Sequence, residues 1–133
     1  MDRPRPVVIP LHSVPVTPAQ RAPTNVRIAR LVTRQRCGSN LLMGVSWMAP
    51  GERTNTWSFE DSDRMAEGDH YYGPGVDETY FVLRGRLRLT WDEGELEAGP
   101  NDAVYLARGW TYRLASIGDE TAFFVYSMSP APA

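Results

Sequence analysis

The sequence contains no lysine; all 14 of its basic side chains are arginines. That removes the Schiff-base amine on which covalent aldolase and pyridoxal chemistry depends. Cysteine is almost as scarce. Cys37 stands alone, which excludes an intrachain disulfide and a cysteine-rich zinc site. Arg34 and Arg36 flank it, but no histidine is near in sequence, so a structural thiol is favoured over a nucleophile. Histidine occurs only twice, at His12 and His70. Excess positive charge is also missing. The net charge of −2 offers no basic face for nucleic acid, and no partner of that kind is expected. No apolar run reaches the length of a membrane span, and the first residues lack the apolar stretch of a secretory signal. These two absences predict a cytoplasmic protein with no membrane contact.

What remains is an ordinary globular composition. The chain has 133 residues, 42% hydrophobic and 23% charged, which suits one domain with a core of its own. Proline is unevenly spread. Six of the eleven prolines fall within residues 1–24. Proline fixes φ and removes a donor, so this stretch is read as an arm that forms neither a helix nor a central strand. Val7, Val8, Ile9 and Leu11 lie between the prolines and suit a docked or exchanged arm; a disordered leader is the equal alternative. Residues 25–133 are read as the domain proper.

From Asn25 onward the pattern is β. Val26–Thr33, Asn40–Met48, Thr56–Phe59, Thr79–Trp91, Ala103–Ala107, Thr111–Ala115 and Thr121–Met128 are short and rich in β-branched and aromatic residues. Turn signals at Gly38, Gly51, Gly73–Gly75, Gly85, Gly94, Gly99–Asp102, Gly109 and Gly118 separate them. Glu60–Asp69 reads as a loop or a single helical turn. The most informative run is Glu78–Trp91. Alternation along a strand puts Glu78, Tyr80 and Val82 on one face and Thr79, Phe81 and Leu83 on the other. Beyond the Gly85 turn, Leu87, Leu89 and Trp91 face the core. A carboxylate on the inner face needs a metal, an arginine or a hydrogen-bond partner. Gly99-Pro100-Asn101-Asp102 is read as a β-turn in which Asn101 takes the left-handed conformation.

These blocks resemble the cupin family. Its first motif ends in a glutamate, six residues and a glycine, as Glu78 and Gly85 do here. His70 and Tyr72 stand upstream, at the positions of that motif's two histidines, with one extra residue before Glu78. The second motif is matched in outline from Gly99 to Tyr112, with Ala107 near the place of its proline and Tyr112 at the place of its histidine. The resemblance covers roughly residues 40–128. It implies an all-β fold, the cupin double-stranded β-helix or jelly-roll barrel, here with a proline-rich N-terminal arm. It further implies a homodimer and a small molecule bound inside the barrel.

In the family these positions bind a divalent metal, so the resemblance implies a ligand set of His70, Tyr72, Glu78 and Tyr112 for iron, manganese, zinc or nickel. Two of the three histidine positions are tyrosines, and a neutral phenol is a poor ligand. The same four residues are therefore also candidates for acid–base work: Glu78 as base, His70 as ligand or base, Tyr72 and Tyr112 as acids. The plainer alternatives are a loop histidine at the barrel mouth for His70, a salt bridge from Glu78 to Arg53 or Arg113, and a buried tyrosine that satisfies Glu78. Trp57, Tyr80, Trp110 and Tyr126 are expected to line the pocket, with Trp110 at its rim. The expected function is a small cupin enzyme with lyase, isomerase or cyclase-type acid–base chemistry on an atypical metal site. The alternative is a metal-free cupin that binds a small ligand without catalysis. The fold alone does not choose between them.

Overall fold

Short β segments joined by tight turns dominate the chain, and the reason is local. Few stretches keep a helical period, while β-branched and aromatic residues alternate with polar ones at period two. The computed structural model describes residues 5–18, 26–54, 57–58, 76–107 and 110–131. Among these the elements run β1 (Thr17–Pro18), β2 (Arg27–Val32), α1 (Arg34–Cys37), β3 (Leu42–Met48), β4 (Trp57–Ser58), β5 (Asp77–Arg84), β6 (Leu87–Trp91), β7 (Gly94–Ala98), β8 (Ala103–Leu106), β9 (Thr111–Ser116) and β10 (Ala122–Ser129). No helix among the described residues is long and apolar enough to cross a membrane.

All the pairings between these strands are antiparallel. They make a six-stranded sheet in the order β1-β2-β3-β10-β5-β8 and a four-stranded sheet in the order β4-β9-β6-β7. Several neighbours in the sheets are distant in sequence, such as β3 and β10 or β4 and β9, as in a jelly roll. The inner faces share one core, which includes Tyr80, Val82, Leu87, Leu89, Tyr112, Leu114, Phe124 and Met128. Strand β10 shows how the pattern builds it: Ala122, Phe124, Tyr126 and Met128 point inward and are buried, and the residues between them are partly exposed.

The outer face of the larger sheet carries a second, smaller core. Ala29 and Val45 are buried there beneath Val14 of the arm, with Ile9, Leu31, Trp47, Phe123 and Val125 packed around them. Trp47 and Phe123 are cross-strand partners and stack at 5.2 Å, with the Arg84 guanidinium 5.4 Å from the Phe123 ring centre. The arm also contributes a short 3₁₀ turn at Leu11–Ser13 and strand β1, which pairs with β2 at the sheet edge. Pro18 fits there because an edge strand can spare a donor.

The expected turn at Gly85, at φ 78°, divides the run Thr79–Trp91 into two strands. Two features were not foreseen. One is strand β7, Gly94–Ala98. Residues 34–37 form a helical turn: Thr33 Oγ1 accepts from the Arg36 amide at 3.0 Å, and Gly38 ends the turn at φ 65°. The Gly99–Asp102 turn is as expected, with the Asp102 amide donating to the Gly99 carbonyl at 3.0 Å and Asn101 at φ 72°. Glu60–Asp69 and Gly109 lie outside the described residues.

Candidate functional site

Alternation along β5 sends Glu78 and Tyr80 into the interior. The strand is flanked by β10 and β8, and the residues opposite Glu78 in register are Met128 and Leu106. Both are buried and apolar. The carboxyl is thus 1% exposed and set among hydrocarbon. Its hydrogen-bond partners are phenols. Tyr112 reaches across from β9 in the other sheet and donates to Glu78 Oε1 at 2.6 Å. The Tyr112 and Tyr80 hydroxyls lie 2.9 Å apart, and the Tyr80 hydroxyl is 3.5 Å from the same Oε1. The other oxygen, Glu78 Oε2, is buried and has no hydrogen-bond partner among the described residues.

Burial dominates the electrostatics. It drives the Glu78 pKa up to about 8, although the hydrogen bonds from Tyr112 and Tyr80 pull the other way. No arginine contributes to that balance, so the site has the phenol-satisfied arrangement rather than a salt bridge. Burial, then the neighbouring Glu78 charge, raises Tyr112 well above the usual phenol range. Tyr112 therefore stays a neutral donor. Its hydroxyl fixes one carboxyl oxygen of Glu78. Tyr112→Phe should remove the donor that favours the carboxylate and raise the Glu78 pKa further, by about one unit. Carboxyl carbon NMR titration would show this. An unchanged midpoint would mean that the bond does not govern Glu78.

Next to this cluster lies a cavity of about 280 Å³, with Tyr112 and Leu106 in its wall. Leu89, Trp91, Leu96, Tyr105, Ala107 and Trp110 complete the lining. Trp91 and Trp110 meet edge to face at 6.2 Å. Trp110, expected at a rim, is 46% exposed. Of the other residues expected to line the pocket, Tyr80 serves as a partner in the hydrogen-bond cluster. Tyr126 is buried elsewhere in the interior. Trp57 lies in β4 opposite Tyr112 in register. His70 and Tyr72 lie outside the described residues. Trp91, Leu96 and Tyr105 were not anticipated as lining. Trp91 was read as core, while Leu96 belongs to the unforeseen β7.

A second feature was not anticipated. The Tyr126 ring lies across Gly44 on β3, its register partner. A Cβ at Gly44 would fall 2.7 Å from both Tyr126 Cζ and Oη, and 2.5 Å from the Ala29 carbonyl oxygen. Only glycine leaves room for the ring. The next residue in the row is Arg30 on β2. Burial raises the Tyr126 pKa, and the nearby Arg30 charge opposes that rise. Tyr126 Oη has no hydrogen bond of good geometry, although Arg30 is close enough to act on it. A glycine inside a strand pattern is a known sign of such close approach.

The described residues do not fit the divalent metal that the resemblance implies. No three of histidine, cysteine, aspartate and glutamate come together among them. The donors at hand are one carboxyl that favours its proton and two phenols, of which Tyr112 is held firmly neutral. A metal must displace protons from its ligands, and this environment works against that.

No protein-family model matches the chain. No curated protein matches it. Solved structures do. A predicted oxalate decarboxylase from Thermotoga maritima is 14% identical at a TM-score of 0.71, over 93% of this chain and 99% of that one. The polyketide cyclase RemF from Streptomyces resistomycificus is 14% identical at 0.70, over 96% and 82%. The cupin domain of Cnp3 from Schizosaccharomyces pombe is 17% identical at 0.68, over 95% and 75%. Identity at this level speaks for architecture, and the architecture of this chain is the cupin jelly roll.

Proposed function

We propose that this protein is a cupin-fold enzyme that moves a proton on a small organic molecule, with Glu78 as the acid–base group. The reaction class is isomerisation, elimination or cyclisation. One observation carries the reading: a fully buried carboxyl with one oxygen held by Tyr112 and the other unpartnered among the described residues. A carboxyl that titrates at about 8 exists in both forms near neutral pH. It can therefore take a proton as base and return it as acid, which suits a reaction that shifts a proton between two atoms. Burial raises the basicity of the ionised form, and the exclusion of water protects a carbanion or enolate once formed. Tyr112 keeps the carboxyl in place, and the apolar interior suits a partly apolar substrate. Two neighbours are described as a polyketide cyclase and as a sugar phosphate isomerase from Silicibacter pomeroyi, which supports proton chemistry of this class.

This reading routes no step through a metal. The test is proton exchange in D₂O. Small ketones, oxo acids and hydroxy acids are incubated with the protein and followed by proton NMR for deuterium uptake, isomerisation or loss of water. Glu78→Gln should lower the rate on any responsive compound by at least about 100-fold, the usual scale for loss of a general base. Equal rates in the two proteins would remove Glu78 from the chemistry. The buried, unpartnered Oε2 equally suits a ligand held without turnover. Saturable binding that depends on Glu78, with no exchange, would establish that second reading. The homodimer implied by the cupin resemblance would use the outer face of the six-stranded sheet, where Phe81 and Leu83 remain partly exposed beside Phe123.

A further inference from the structure

The cavity beside the Glu78 cluster lies at a seam. Its wall draws on β6, β7, β8 and β9 and on the segment that joins β8 to β9. Among the described residues β7 ends the smaller sheet and β8 ends the larger one, so the cavity sits where the edges of the two sheets meet. Every described side chain in the wall is aliphatic or aromatic, and four are aromatic: Trp91, Tyr105, Trp110 and Tyr112. The Glu78 cluster accounts for Tyr112 alone, whose ring is in the wall while its hydroxyl holds the carboxyl. Leu96, Tyr105 and Trp110 are exposed. Large apolar side chains gathered in this way around one concavity are a mark of a ligand site.

We propose that this cavity binds a flat, uncharged aromatic molecule about the size of two fused rings. The site goes beyond the proton chemistry of Glu78, and its occupancy needs no titratable group. Size is the first argument. An apolar cavity of about 150 Å³ takes up one benzene. This one measures about 280 Å³. Charge is the second. An ionised group would leave water and find no opposite charge among the described residues of the wall, which is costly. Shape is the third. The Trp91 and Trp110 rings are 6.2 Å apart and inclined at 69°. A flat ring stacked on one indole therefore meets the other nearly at right angles, and aromatic pairs favour both arrangements. A saturated ring system of the same volume gains only the burial.

The Trp91 ring is also held in position. Its register partner on β7 is Gly94, and a Cβ there would fall 3.2 Å from Trp91 Cζ2. A side chain at that point would shift the indole that forms part of the wall.

The test is calorimetry on the full chain at neutral pH with three probes of one size: 2-naphthol, its saturated counterpart decahydro-2-naphthol, and the anion 2-naphthoate. One molecule of 2-naphthol should bind per chain, about ten-fold or more tightly than either of the others. Trp110→Ala should weaken it by about ten-fold, and Trp110→Phe by less. Leu96→Glu, which sets a charge at the exposed rim, should weaken it as well. Both positions are exposed, and thermal unfolding of each variant shows whether the fold is kept. Glu78→Gln should bind 2-naphthol as the native protein does. That separates this site from the acid–base reading: binding that needs Trp110, with no proton exchange on any compound, keeps the cavity's role and removes that of Glu78. No saturable binding of 2-naphthol, or equal affinity for either of the other probes, overturns the proposal. So does binding that is lost in Glu78→Gln and kept in folded Trp110→Ala.

Discussion

Between pH 5 and pH 9 the protein should lose as much as roughly 4 kcal/mol of stability through the Glu78 carboxyl alone. The sign follows from proton binding. In the unfolded chain this carboxyl titrates near its ordinary value of 4.5, and in the folded protein at about 8. Between those values the folded state holds a proton that the unfolded state has released. Stability is therefore highest below the ordinary value, falls as pH rises toward 8, and levels off above it. A domain of this size has only about 5–15 kcal/mol in hand, so the loss is a large share. The cause is local: Met128 and Leu106 flank the carboxyl, and the phenols only partly replace water. Glu78→Gln keeps an oxygen to accept from Tyr112 and carries no charge at any pH. Its stability should lack this slope and exceed that of the native protein at pH 9. Urea unfolding of both proteins at pH 5.5, 7 and 9 isolates the effect, since other groups cancel in the difference. Parallel curves would show that Glu78 ionises normally in the fold, and the acid–base proposal would lose its main support.

Much of that site was legible in the sequence because it lies on a single strand. Period-two alternation put Glu78, Tyr80 and Val82 on one face without any tertiary information, and the six-residue spacing to Gly85 set the strand in a known motif. Tyr112 was identified by its place in the second motif. That its hydroxyl meets Glu78 was one of several open arrangements, because the two residues lie on different sheets and only the packing of those sheets selects the contact. Strand β7 escaped for a different reason. Gly94-Glu95-Leu96-Glu97-Ala98 has one large apolar residue, so it lacks the hydrophobic signature of a strand. On its exposed side it is matched to β6 by charge, with Arg88 3.3 Å from Glu95 and 2.9 Å from Glu97. Such exposed pairs add little stability, so sequence reading has little to detect. The close fit of Tyr126 over Gly44 was not read because the two residues lie on strands far apart in sequence, β10 and β3, and nothing next to either of them marks the contact.

Gly85 combines a positive φ with close approach to a neighbouring strand, and Gly85→Ala should lower stability by about 3 kcal/mol or more. Two costs combine. At φ 78° any side chain is strained. A Cβ at this position would also fall 2.6 Å from Ala122 Cα and 3.0 Å from the Ala122 amide nitrogen. Those are backbone atoms at the start of β10, with no flexible side chain to move aside. Either β5 and β10 separate at this end or the turn between β5 and β6 distorts; the Gly85 amide's 3.2 Å bond to Glu120 would then weaken as well. Gly38 supplies the control. It has a similar φ of 65°, yet a Cβ there meets nothing within 4 Å. Gly38→Ala should cost only the backbone strain, about 1 kcal/mol. Chemical unfolding of the two variants under one condition measures the difference, which is the contribution of close approach at Gly85. Equal losses would mean that β10 yields freely at Ala122. Glu78 lies at the other end of β5, so its titration midpoint should be the same in folded Gly85→Ala as in the native protein. A midpoint that fell toward the ordinary carboxylate value would show that the environment of Glu78 depends on the whole β5–β10 contact and not on its immediate neighbours.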